Sequence, residues 1–177
     1  MVDGESGTDS RSFAAFYRAE YRPVLAFAAS LCRDVHAAED LTQDAFIAAQ
    51  RRWDSLRGFD RPDLWVRRAV TNRSVSRWRR MTSDQNRVRR LARLRQPEGE
   101  SPVPEDDVWR LVRALPARQA QVVALTYLED RSISDVAAVL GIGVETAKTH
   151  LQRGKAALAR AIRGDEQSTH EHEREER

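Results

Sequence analysis

Apolar residues recur at helical spacing in nearly every segment of the chain that carries them. The first run reads Phe13, Phe16, Tyr17, then Tyr21, Val24, Leu25, Ala28 and Leu31, with Pro23 placed where the first turn of a second helix tolerates it. Another helix is predicted over Val35–Trp53. Ala38, Leu41, Ala45, Ala48, Ala49 and Trp53 form its apolar stripe, and Glu39, Asp40, Gln43 and Asp44 its polar one. Ser55 to Pro62, with Gly58, reads as a loop, after which Asp63 opens a helix through Leu64, Trp65, Val66, Ala69, Val70, Val75 and Trp78. Further on, Val108, Leu111, Val112 and Leu115 predict a short helix stopped by Pro116; a second runs from Ala117 to about Leu128, and two more bracket Gly141. No segment alternates apolar and polar residues as an exposed strand would.

The break between these runs is compositional. Gln96 to Asp106 holds Pro97, Gly99, Pro102 and Pro104 among acids and reads as a linker. The expected organisation is a disordered N-terminus (1–12), a helical module (13–80), a flexible linker (81–107), a second helical module (108–163) and a disordered acidic tail (164–177). The fold class is all-α, two small helical domains on a tether, each near the lower size limit for folding alone. Phe13, Phe16, Tyr17, Tyr21, Trp65 and Trp78 are assigned to the cores. With 177 residues, no apolar stretch near the ~20 residues of a membrane span, and a polar, acidic start, neither membrane insertion nor secretion is expected. A lone Cys32 excludes a disulfide framework and a cysteine-based zinc site, and suits the reducing cytoplasm.

Charge sharpens the picture. The net charge is only +3, yet Arg61 to Arg95 carries twelve arginines and no lysine against Asp63 and Asp84, a local +10. Glu98 to Asp107 holds five acids and no base, and the residues from Gly164 onward sum to −4. A concentrated basic block flanked by acidic segments points to a polyanion, nucleic acid before membrane.

Ser132 to Leu151 has the spacing of a helix-turn-helix. Ser134 is the expected cap of the first helix, and Asp135 complements its dipole. Val136, Ala137, Val139 and Leu140 point inward, Gly141 takes the left-handed turn, and Ile142 plugs the corner. The second helix opens at Glu145-Thr-Ala-Lys. Glu145, Lys148, Thr149, Gln152 and Arg153 share one face, opposite Ala147 and Leu151. Lys, Gln and Arg offer donors to guanine and adenine edges, Glu145 an acceptor to a cytosine amine, and His150 stands at the rim of that face. Lys155 and Arg160 suit phosphates.

Ala38-Glu-Asp-Leu-Thr-Gln-Asp-Ala-Phe46, followed by Trp53-Asp-Ser-Leu-Arg-Gly, resembles region 2 of bacterial sigma-70-type initiation factors. Leu115-Pro-Ala-Arg-Gln-Ala-Gln-Val-Val-Ala-Leu and the helix-turn-helix resemble region 4. Both halves, in this order across a linker, are similar to the extracytoplasmic-function group, which keeps regions 2 and 4 only. The resemblance implies that Asp40, Gln43 and Asp44 grip core RNA polymerase at the coiled coil of its largest subunit, with the flap region as a further contact. It implies that the Ser55–Asp60 loop takes a base flipped from the melted minus-10 strand, with Asn72 helping to read it. An unpaired base needs an apolar wall and hydrogen bonds, and a single strand needs a basic groove. Leu56, Phe59 and Asn72 supply the first; Arg52, Arg57, Arg67, Arg68, Arg73 and Arg77 the second. The face from Glu145 to Lys155, including His150, is then the reader of the minus-35 duplex.

The function implied is a sigma factor that binds core polymerase and directs promoter-specific initiation. The partners are core RNA polymerase and promoter DNA; many family members are also held by an anti-sigma factor, which no residue here marks. A regulator that acts without being a polymerase subunit is the alternative, since Ala147-Lys-Thr-His resembles the recognition helix of response-regulator output domains. The strands and acidic pocket of a receiver are missing from the pattern. An enzyme is not expected: His36 stands alone, His170 and His172 lie in the tail, and no cluster has metal-ligand or nucleophile spacing. No cofactor and no metal are expected.

Overall fold

The computed structural model describes residues 12–32, 34–88 and 107–175, and side chains within 12–32, 34–75 and 108–163. It consists of α1 (Phe13–Leu31), α2 (Val35–Gln50), α3 (Trp53–Leu56), α4 (Pro62–Val88), α5 (Asp107–Ala114), α6 (Ala117–Tyr127), α7 (Ile133–Leu140) and α8 (Val144–Glu175). There is no strand among the described residues.

Local chemistry sets the helix starts. Ser12 Oγ accepts from the Ala15 amide (3.2 Å) at the head of α1, and Asp34 Oδ1 accepts from the His36 amide (3.1 Å) at the head of α2. Pro62 opens α4, where its missing N–H costs nothing. The first helix is continuous, and Pro23 sits inside it instead of starting a second one. Pro23 and Ala19 both face solvent, so the carbonyl that loses its partner stays hydrated. The helix expected over Val35–Trp53 stops at Gln50, because Arg52 leaves helical geometry (φ −118, ψ 13). That break turns Trp53 onto Phe13 and Phe16, with ring centroids 5.5 and 4.9 Å apart. Tyr17, Tyr21 and Phe46 extend the aromatic cluster.

In the C-terminal half, the cap of α7 is Ser132, whose Oγ accepts from the Asp135 amide (3.1 Å), and not Ser134. A Ser three residues ahead of Asp135 reaches its amide, whereas Ser134 already lies within the first turn. Gly141 is left-handed at φ 64, ψ 39, as the turn requires. The helix α8 runs on through the acidic segment to Glu175, past the point where a disordered tail was expected, since Glu, Gln and Arg are good helix formers. Of the N-terminus expected to be disordered (1–12) residues 1–11, and of the expected linker (81–107) residues 89–106, lie outside the described residues; Ser12 instead caps α1, α4 continues to Val88 and α5 begins at Asp107.

The two helical groups are not held apart. Val24, Phe27, Leu41, Val66 and Val70 of the first belong to one apolar cluster with Val122, Leu125, Val136, Val139 and Leu140 of the second. The seam runs along α1 and α4 against α5, α6 and α7.

Candidate nucleic-acid interface

The second helix of the helix-turn-helix advances about 100° per residue, which separates two stripes. Ala147 and Gly154 are buried and Leu151 half-buried against the bundle; Glu145, Lys148, Thr149, Gln152, Arg153 and Lys155 are exposed on the other side. Lys148 Nζ donates to Glu145 Oε1 (2.7 Å), and Thr149 Oγ1 donates to the Glu145 carbonyl (2.9 Å). His150 departs from this set: it is half-buried and its Nδ1 is shut away from solvent, because it borders the Ala147–Leu151 stripe. Gly154 is a packing requirement, since a Cβ there would lie 2.9 Å from Val123 Cγ2 of α6.

The N-terminal module presents two clefts. One, of about 440 Å³, is lined by Arg51, Arg52, Trp65, Arg68, Asn72 and Arg73 between α2 and α4. The Arg52 guanidinium lies 6.0 Å above the Trp65 ring, so Trp65 serves a polar cleft as well as the core. The other, of about 650 Å³, is lined by Phe16, Glu20, Trp53, Arg57, Phe59 and Asp60 beside the loop after α3. The structure therefore divides the three residues expected to share a pocket. Phe59 is exposed in the second cleft, Asn72 lines the first, and Leu56 is 2 % exposed and belongs to the core. Leu56 is drawn inward because α3 is a single turn wedged on the aromatic cluster. The side chain of Arg77 lies outside the described residues.

Asp40, Gln43 and Asp44 are exposed on α2, as their stripe predicted, and Asp44 pairs with Arg73 of α4 at 3.8 Å. Ile47 continues that stripe one turn on and is 46 % exposed.

Arg67 does not belong to the basic groove. It is 1 % exposed and donates to Glu20 Oε2 (2.7 Å), to the Asp63 carbonyl (3.2 Å) and, through Nε, to Glu129. Burial lowers its pKa, but the hydrogen bonds and charges of Glu129 and Glu20 outweigh that and raise it. Neither Glu20 nor Glu129 carries a sequence signal for this role, because both are more than 45 residues from Arg67. Arg51 was also missed; its only cue is adjacency to Arg52.

Fold and surface thus define an all-helical protein with a helix-turn-helix that presents a polar, exposed helix face on one module and a basic, aromatic-lined cleft on the other. The Sigma-70 region 2 family matches residues 16–84, and the Sigma-70, region 4 family matches residues 105–158. The ECF RNA polymerase sigma factor SigW of Bacillus subtilis is 30 % identical over 145 residues, covering 73 % of this chain and 78 % of that one. An RNA polymerase sigma-E factor of Streptomyces avermitilis is 26 % identical over 166 residues, covering 93 % of each. In fold, the chain is similar to the sigma factor RpoE of Bartonella quintana, solved in complex with the anti-sigma factor NepR. The TM-score is 0.70 at 23 % identity, over 85 % of this chain and 96 % of that one. The chain belongs to the extracytoplasmic-function branch of the sigma-70 family, whose members associate with RNA polymerase to give promoter-specific initiation. That family is not a class of enzymes, and no described helix is long and apolar enough to cross a membrane.

Proposed function

We propose that three separate faces of this chain divide the work of initiation. Asp40, Gln43 and Asp44 on α2 dock on the coiled coil of the polymerase's largest subunit, where acids and an amide in a row suit arginines of a partner helix. Glu145, Lys148, Thr149, Gln152 and Arg153 read the minus-35 duplex, with Lys155 on phosphate and His150 at the edge of the contact. Arg52, Asn72 and Arg73 in the α2–α4 cleft and Arg57 and Phe59 in the loop cleft take the melted minus-10 strand, with Arg77 further along α4. Leu56 acts from beneath, as the core residue that supports the loop.

The observation that carries this reading is the α2–α4 cleft, where four arginines, Trp65 and Asn72 meet on the chain that also presents the outward face of α8. Stacking on aromatic or guanidinium planes plus phosphate neutralisation is what single strands need. No covalent step belongs to the chain; strand capture offsets the few kcal/mol of unpairing and unstacking a base. The site of action is the cytoplasm, and an anti-sigma partner belongs to the same reading through the family. Run-off transcription with purified core polymerase on a promoter library tests it. The expected result is initiation confined to templates that share a minus-35 and a minus-10 sequence. Initiation no better than with core alone, on every template, overturns it.

A further inference from the structure

His150 is the residue of α8 whose chemistry the fold restricts. Its ring is half-buried, and Nδ1 is shut away from solvent with no hydrogen-bond partner. At about 100° per residue, His150 stands about 40° from buried Gly154 and about 60° from exposed Arg153, on the shoulder where the inward stripe meets the outward face. Thr146, one turn earlier, is exposed on the same shoulder. The ring thus enters the bundle by its Nδ1 edge, beside Ala147 and Leu151, and its open part is the edge that carries Nε2.

A neutral imidazole carries one proton and can place it on either nitrogen. On Nδ1 that proton would be a buried donor without an acceptor, the rarer and costlier kind of orphan. On Nε2 it is open to water or to a ligand, and Nδ1 keeps only a lone pair among apolar neighbours. We propose that His150 is a one-way contact: packing holds it in the Nε2–H form, so it donates to an acceptor on the minus-35 duplex and accepts nothing. The contact rests on the minus-35 reading above; the proton's position does not. Purine N7, guanine O6, thymine O4 and phosphate oxygens fit such a donor, whereas the amines of adenine and cytosine do not. Glu145, two turns earlier, has the opposite limit, since an ionised carboxylate only accepts. The face of α8 then discriminates through groups that each work in one direction.

Nitrogen-15 spectra of the full chain at pH 8 test the proton's position without any variant. The four histidines give separate imidazole signals, and His150→Gln assigns one of them by its loss. The expected pattern for His150 is that of a single Nε2–H form in the free protein. An Nδ1–H pattern, or shifts averaged between the two forms, overturns the proposal. Two substitutions test the contact in reconstituted holoenzyme on a minus-35 duplex. The amide nitrogen of His150→Gln reaches the place of Nε2, and that of His150→Asn only the place of Nδ1. The glutamine variant keeps wild-type affinity, whereas the asparagine variant loses about tenfold. Any other ordering overturns the contact. Single base-pair changes and single methylphosphonates then locate the acceptor. A glutamine–asparagine difference that depends on one base pair assigns it to a base edge, and one that follows one methylphosphonate assigns it to phosphate. A difference that depends on neither overturns the contact. If Lys148→Ala and Arg153→Ala also leave binding unchanged on every minus-35 variant, the minus-35 reading itself fails. If those two weaken binding while glutamine and asparagine at position 150 behave alike, that reading stands and the His150 contact falls.

Discussion

Lys148 and Glu145 are already set against each other on the outward face of α8, 2.7 Å apart, before DNA arrives. The pair is exposed and adds little to stability; on the proposed reading it holds the ammonium over the groove face. Lys148→Ala and Arg153→Ala are each expected to cost about 1–3 kcal/mol of promoter affinity where they touch base edges. Titrating holoenzyme with minus-35 variants measures this. A loss uniform across all sequences assigns those residues to phosphate, whereas a loss confined to one base position assigns them to that base. Asp63 gives a second prediction at this scale. Burial raises its pKa, but the hydrogen bond from Arg61 and the charges of Arg131, Arg61 and Arg67 outweigh that and hold it below the ordinary 3.8. Because the folded value is the lower one, ionised Asp63 contributes its full stabilisation above the unfolded value of 3.8, and this is lost as pH falls from there through the folded value. Urea midpoints followed into acid should therefore drop more steeply for the wild type than for Asp63→Asn, and equal slopes would remove Asp63 from the account.

At the level of single elements, the helix-turn-helix was almost wholly legible, because its demands are local. A small residue at Ala137, a left-handed Gly141 and inward Val136, Val139 and Leu140 follow from spacing alone, and each is found as read. The errors at this scale are the cap, Ser134 for Ser132, the expected split of α1 at Pro23, the overruns of α4 to Val88 and α8 to Glu175, and the break after Gln50 that no proline or glycine announces. What turns the chain there is a tertiary attraction, the seat for Trp53 between Phe13 and Phe16, and a period-3.6 pattern carries no trace of it. The same limit explains Arg67. In a run of arginines it reads as groove, and only the fold brings Glu129 and Glu20 to it. Gly154 was not singled out either, for a glycine within a helical run declares nothing until α6 is laid against it. Its Cβ would meet Val123 Cγ2 at 2.9 Å. Gly154→Ala gains up to about 1 kcal/mol in helix propensity. It also incurs about 1–3 kcal/mol of overpacking. The expected outcome in urea denaturation is a net loss, with Val123→Ala in the same chain restoring part of it. A stabilised Gly154→Ala would show that α6 and α8 move apart freely.

Across the whole molecule, the three proposed faces do not compete for space. The α2 stripe, the α2–α4 cleft and the outward side of α8 are all exposed while the modules are packed together. On the proposed reading, polymerase can engage α2 while the modules are packed together, and polymerase binding can be measured apart from promoter binding. Ile47 is where that separation can be tested. It stands one turn beyond Gln43 and Asp44 on the same stripe and is 46 % exposed, an aliphatic side chain among acids and an amide. Interfaces draw most of their affinity from a few such anchors ringed by polar groups, and losing one costs about 2 kcal/mol or more. Ile47→Asp buries no charge in the free protein, because the position already faces water, so its helicity and melting should match the wild type. Its affinity for core polymerase should fall more than tenfold, as should that of Asp40→Arg with Gln43→Ala. Direct binding of each purified variant to a minus-35 duplex should be unchanged, since α8 lies on the other module. Binding to core at wild-type strength in both variants would move the polymerase contact off α2. A parallel loss of duplex binding would mean instead that the two modules fail together, and that the stripe on α2 matters for folding and not for docking.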